Sequence, residues 1–141
     1  MCLMAVCMNA QSLTWDNFVN TVNSTLSGSA PVFKEVYHSM GLDCDVDVYF
    51  NKAANEFVIE TKFDDGRILD YIDAASLEPI KQSFVESYIQ ELTPTGSLDD
   101  TIALLEKNNG KFVFLYTGDK NGQKVSKQVD ITADDFKKAK K

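Results

Sequence analysis

Few residues in this 141-residue chain are equipped for chemistry, and their types restrict the reactions open to it. His38 is the only histidine, so a zinc site built from several imidazoles is excluded, and any His/Cys catalytic pair has to be His38 with Cys44. Cys44 shares an apolar strand face with Val46 and Val48, where a thiol packs as a small hydrophobic group rather than acting as a nucleophile. Asp43, Asp45 and Asp47 supply carboxylates at a spacing that begins like an EF-hand loop. The likeness then fails, because Val48 stands where the loop needs glycine and Ala54 where it needs the bidentate glutamate. Outward carboxylates alternating along a strand also lie about 7 Å apart, so solvation explains them better than calcium does. Asp64, Asp65, Asp70 and Asp73 could in principle provide the pair of acids that glycoside hydrolysis requires. Turn formation already accounts for Asp64 and Asp65, and helix capping for Asp73. Nucleophile elbow, P-loop and dinucleotide fingerprint are all missing, and no pattern calls for a cofactor or metal.

What remains is a surface. Asp43, Asp45 and Asp47 with Tyr49 form the outward side of the strand that carries Cys44, and they are the most distinctive binding residues the chain offers. Tyrosine anchors interfaces well because it joins an apolar body to a polar tip. Acidic neighbours would select a basic partner and speed the encounter at low salt. The competing expectation is that Lys137, Lys138 or Lys140 of the lysine-rich end covers and neutralises this face.

The elements that must hold these residues follow from periodicity. Trp15, Phe18, Val19, Val22 and Leu26 fall at helical spacing, with Ser12 or Thr14 as cap. Ser27-Gly28-Ser29-Ala30-Pro31 reads as a break before a second helix carrying Phe33, Val36, Tyr37 and Met40 and stopping at Gly41. From Leu42 the period becomes two through Phe50, and again from Phe57 to Phe63 after a turn at 51–55. Asp64-Asp65-Gly66 is a hairpin signal, so Arg67–Ile72 is expected to be a third strand. A helix follows from about Ala74 with a wide apolar face, ending at Thr93-Pro94-Thr95-Gly96, the one linker-like stretch. Ser97 with Asp100 approximates a capping box for a short helix. Strands at Phe112–Tyr116 and Val125–Ile131 flank a turn at 118–122, and Thr132 with Asp135 caps a last helix. The expectation is therefore one α+β domain of order ααβββα-αββα, an antiparallel sheet packed against helices. Ile72-Asp73-Ala74 with Leu77 and Lys81 is matched at a constant offset by Ile131-Thr132-Ala133 with Phe136 and Lys140, which makes the halves 11–93 and 97–141 candidates for an internal duplication.

Composition sets the compartment and the partners. Residues 1–10 carry no charge, are almost wholly apolar and end at Ala10, as the last part of a secretory signal peptide does. No basic residue precedes the apolar run, which points to a start codon placed late or to a truncated sequence. On this reading 1–10 is a signal remnant and 11–141 the mature single domain, periplasmic or extracellular, with Cys44 its only cysteine. The rival is a buried N-terminal strand or helix of a cytosolic protein. Lipoprotein anchoring through Cys7 is the weaker match, since Val6 occupies the position that needs a small residue. No later segment approaches the roughly 20 apolar residues needed to cross a bilayer. The net charge of −7 divides unevenly, with 17 acidic and 5 basic residues through Glu106 and 4 acidic against 9 basic after it. Arg67 is the only arginine, which argues against nucleic acid as a partner.

Gln11 directly after Ala10 resembles the processing style of exported proteins of Bacteroidetes-type bacteria. The helix-and-hairpin halves resemble PepSY-type and β-lactamase-inhibitor-type domains in architecture only, and no motif residue carries over. The leading expectation is an exported, non-catalytic binding module for a protein or envelope ligand. The alternatives are a small carboxylate-dependent hydrolase and a structural envelope component.

Overall fold

The computed structural model describes residues 14–140, so the apolar segment 1–10 lies outside the described residues. The chain runs α1 (Trp15–Ser39), β1 (Cys44–Asn51), β2 (Glu56–Phe63), a 3-10 helix (Gly66–Tyr71), α2 (Ala74–Leu92), α3 (Leu98–Lys107), β3 (Lys111–Lys120), β4 (Gln123–Thr132) and α4 (Ala133–Ala139). The α+β class holds. The expected order does not.

Three local expectations are corrected. The two N-terminal helices are one: α1 passes through Gly28 and Pro31 without breaking. Pro31 withholds one backbone donor, but Val22, Leu26 and Ser29 are buried on either side of Gly28 and hold the helix to the sheet. The third strand is absent, and Gly66–Tyr71 is a 3-10 helix whose N-cap Asp65 accepts from the Arg67 N–H at 3.0 Å. Ser97 starts α3 without a side-chain cap bond, its hydroxyl accepting instead from Thr95 Oγ1 at 3.1 Å. The other caps are as expected. Thr14 accepts from the Asn17 N–H, Asp73 from the Ser76 N–H, and Asp135 from the Thr132 N–H at 2.8 Å.

The four strands lie in sequence order, β1-β2-β3-β4. The outer pairs are antiparallel hairpins, but β2 and β3 run parallel, so the sheet is mixed rather than antiparallel. A parallel neighbour requires a crossover, which the 3-10 helix, α2 and α3 supply. The β3–β4 turn is Asn121-Gly122, both at positive φ (53° and 80°), the two-residue geometry that matches strand twist. The sequence match between the halves marks two helix N-caps, Asp73 of α2 and Thr132 of α4, but the elements before them differ: Ile72 ends the 3-10 helix, whereas Ile131 belongs to β4.

All the helices pack on one face of the sheet. Phe57 and Phe112 stack at 5.1 Å in its centre, and Phe18 of α1, Phe84 and Tyr88 of α2 and Phe136 of α4 close around them. Rings at such separations add attraction beyond their burial. Cys44 lies in this cluster.

Candidate binding face

Register fixes what the other face presents. Across β1 to β4 the rows read Tyr49–Val58–Val113–Asp130, Asp47–Glu60–Leu115–Gln128 and Asp45–Lys62–Thr117–Ser126. Val58 and Val113 are buried yet stand outside the core cluster, because they point away from the helices. They floor the face, and Tyr49 stands over one end, 39 % exposed.

Glu60 organises the centre. It is buried, and its carboxylate accepts from the Tyr49 hydroxyl on Oε1 and the Thr117 hydroxyl on Oε2, each at 3.1 Å. These bonds offset the cost of sinking a carboxylate into a sheet face. Burial pushes the Tyr49 phenol up, and donation to Glu60 pushes it further. Tyr49 is therefore held in place, not loosely projected.

Asp45 and Asp47 are placed as expected, and both are paired. Asp45 pairs with Lys34 of α1 at 3.0 Å, which holds its carboxyl below the usual range. Asp47 pairs with Lys62 at 2.6 Å, diagonally across the strand pair, since its register partner is Glu60. Asp43 has no ion pair among the described residues and precedes the ladder, its backbone carbonyl accepting from the Asp64 N–H. Lys111 bridges Glu56 at 3.1 Å and Asp130 at 2.9 Å on the same face. Neutralisation thus comes from lysines near the sheet. Lys137 and Lys140 are engaged elsewhere, with Glu106 and Asp99, tying the C-terminal end to α3.

The other sequence candidates separate. Cys44 is buried, and burial, with Asp45 nearby, pushes its thiol up, whereas His38 is exposed at the end of α1. No hydrogen bond between them is present among the described residues. Asp65 grips Arg67 at 2.7 Å, Asp70 accepts from Lys120 at 2.8 Å, and Asp73 caps α2. These three carboxylates each have a structural partner. Among the described residues, no group of three or more His, Cys, Asp or Glu is arranged to hold a metal ion.

Sequence reasoning missed Glu60, Lys62 and Thr117. The available signal was the alternation of Phe57, Ile59, Thr61 and Phe63, which puts Glu60 and Lys62 outward. It says nothing of Thr117, which joins only through the parallel register.

No protein-family model, curated protein or solved structure matches the chain. No described helix is long and apolar enough to cross a membrane.

Proposed function

We propose that the protein is an exported, non-catalytic binding module whose partner, a protein or cell-envelope ligand, docks on the outer sheet face at Tyr49. The observation that carries this is the Tyr49–Glu60–Thr117 cluster. A tyrosine on a helix-free face is fixed by a buried carboxylate beside an apolar floor, with paired charges around it. Interfaces are built this way, with an immobilised aromatic anchor inside a polar rim. The acidic excess before Glu106 favours a basic partner, though the pairing of Asp45 and Asp47 leaves Tyr49 the main determinant. Export rests on the apolar run 1–10 and Ala10 ahead of Gln11, a processing site of Bacteroidetes type.

The test is a photo-crosslinking residue placed at Leu115 or at Gln82 in the native host. The expected result is one discrete adduct from position 115, lost on Tyr49→Ala, and none from position 82. Equal labelling from both positions overturns the reading.

A further inference from the structure

On the opposite face, α1 packs chiefly over β1 while α2 contacts β4, leaving a gap above β3. The gap is a groove of about 420 Å³ floored by Phe114 and Tyr116. That volume lies within the range of small-molecule sites, about 300–1,000 Å³. One residue in four of this chain is charged, yet none of the residues lining the groove is. Val32 and Val36 of α1 form an apolar lip that is 46 % and 52 % exposed, an unusual position for valine pairs on a helix.

Polar groups are few and convergent. The Tyr37 and Tyr116 hydroxyls lie 3.4 Å apart, a long contact. The pair shares one hydrogen bond but holds two hydroxyl protons, so one proton has no acceptor among the described residues. Burial pushes the Tyr116 phenol well up and keeps its proton on. Ser83 and Ser87, one turn apart on α2, add hydroxyls on the opposite wall.

We infer that this groove is a second binding site, for an uncharged small molecule with an apolar body and one oxygen acceptor directed at the Tyr37–Tyr116 hydroxyl pair. Anionic ligands such as fatty carboxylates are disfavoured, because no cation lines the groove to replace their hydration. Cationic ligands lack a carboxylate there for the same reason. The site is independent of the Tyr49 face, being separated from it by the sheet.

The experiment uses paired probes. N-phenyl-1-naphthylamine should bind the folded protein saturably at one site, read by its fluorescence. 8-Anilinonaphthalene-1-sulfonate, the same aromatic amine with a negative charge, should bind at least tenfold more weakly. Ser83→Trp, at an exposed position, should fill the groove and weaken the neutral probe at least tenfold while circular dichroism stays native. Val36→Asp serves the same purpose if Ser83→Trp does not fold. In displacement, 1-naphthol should outcompete naphthalene by about fivefold in the wild type, the scale of one net hydrogen bond, and Tyr37→Phe combined with Tyr116→Phe should abolish that preference. Absence of saturable neutral binding, equal affinity for the sulfonate, or indifference to both groove variants overturns the site. A naphthol preference that survives the double substitution overturns the role given to the tyrosines.

Discussion

Gly66 and Gly118 meet backbone to backbone: a Cβ on Gly118 would lie 2.6 Å from the Cα of Gly66, and one on Gly66 would lie 2.6 Å from the Asp119 carbonyl. Neither glycine has positive φ, so the requirement is space alone. The contact seats the 3-10 helix on β3. Gly118→Ala and Gly66→Ala should each destabilise by about 1–3 kcal/mol, the cost of overpacking where backbone cannot yield. Urea unfolding checks this, and a cost near zero would mean that the 3-10 helix moves freely.

Tyr49 and Glu60 should be energetically coupled. Tyr49→Phe leaves a buried carboxylate one donor short and should cost about 1–2 kcal/mol. Glu60→Gln should cost less, because both hydroxyls can turn to suit an amide. A double-mutant cycle by denaturation should return a coupling above about 0.5 kcal/mol. Additive effects would mean that the hydrogen bond contributes nothing.

Alkaline pH should destabilise the fold through its phenols. Burial raises Tyr49, Tyr88 and Tyr116 in the folded chain. Below the ordinary phenol value of about 10, both states keep these protons. Above it the unfolded chain ionises first, so stability falls as pH climbs toward the folded values. Urea midpoints at successive pH values above 9 should decline, and Tyr116→Phe should flatten the decline.

Acid acts through other groups. Arg67 holds Asp65 down at about 2. Burial alone would raise Asp135, but the Thr132 N–H and Lys81 outweigh it and lower it. Their contributions are present above the ordinary carboxylate range and are lost as pH falls through the folded values. Lys81→Met should shift the acid unfolding midpoint upward, and an unchanged midpoint would remove Lys81–Asp135 from the account.

Cys44 should react slowly with a thiol reagent until the protein unfolds, since its thiol is both buried and pushed up. Cys44→Ala should cost about 1 kcal/mol, at the low end of core truncations. Native-state labelling as fast as that of the unfolded chain would contradict the packing.

Much of the fold was legible where local pattern and tertiary environment agree. The alternation in Cys44–Phe50 and Phe57–Phe63 reflects one face against helices and one against none, and the strands lie within a residue or two of those limits. Arg67–Ile72 misled because Asp-Gly suits an Asx-capped 3-10 turn as well as a hairpin. Its apolar residues do not alternate in burial either: Leu69 is buried while Tyr71 is 85 % exposed. Gly28 and Pro31 are local breakers overridden by burial of Val22, Leu26 and Ser29. Of the site, Tyr49, Asp45 and Asp47 faced outward as expected. Glu60 stayed hidden because its donors come from two different neighbouring strands, one paired in parallel, and no local period reports that.

The β2–β3 ladder is the only one in the sheet that no tight turn closes. Each hairpin can zip locally, on the order of microseconds. Joining them means closing the whole crossover first, so the search for this pairing sets the folding speed, and it is the step at which errors enter. A neighbouring chain carries the same two hairpins. During refolding at high concentration, its residues 111–132 satisfy β2 as well as the chain's own do, with the Thr93–Gly96 connection as the hinge. The arrangement that completes the monomer is thus also a route to intertwined, strand-exchanged dimers.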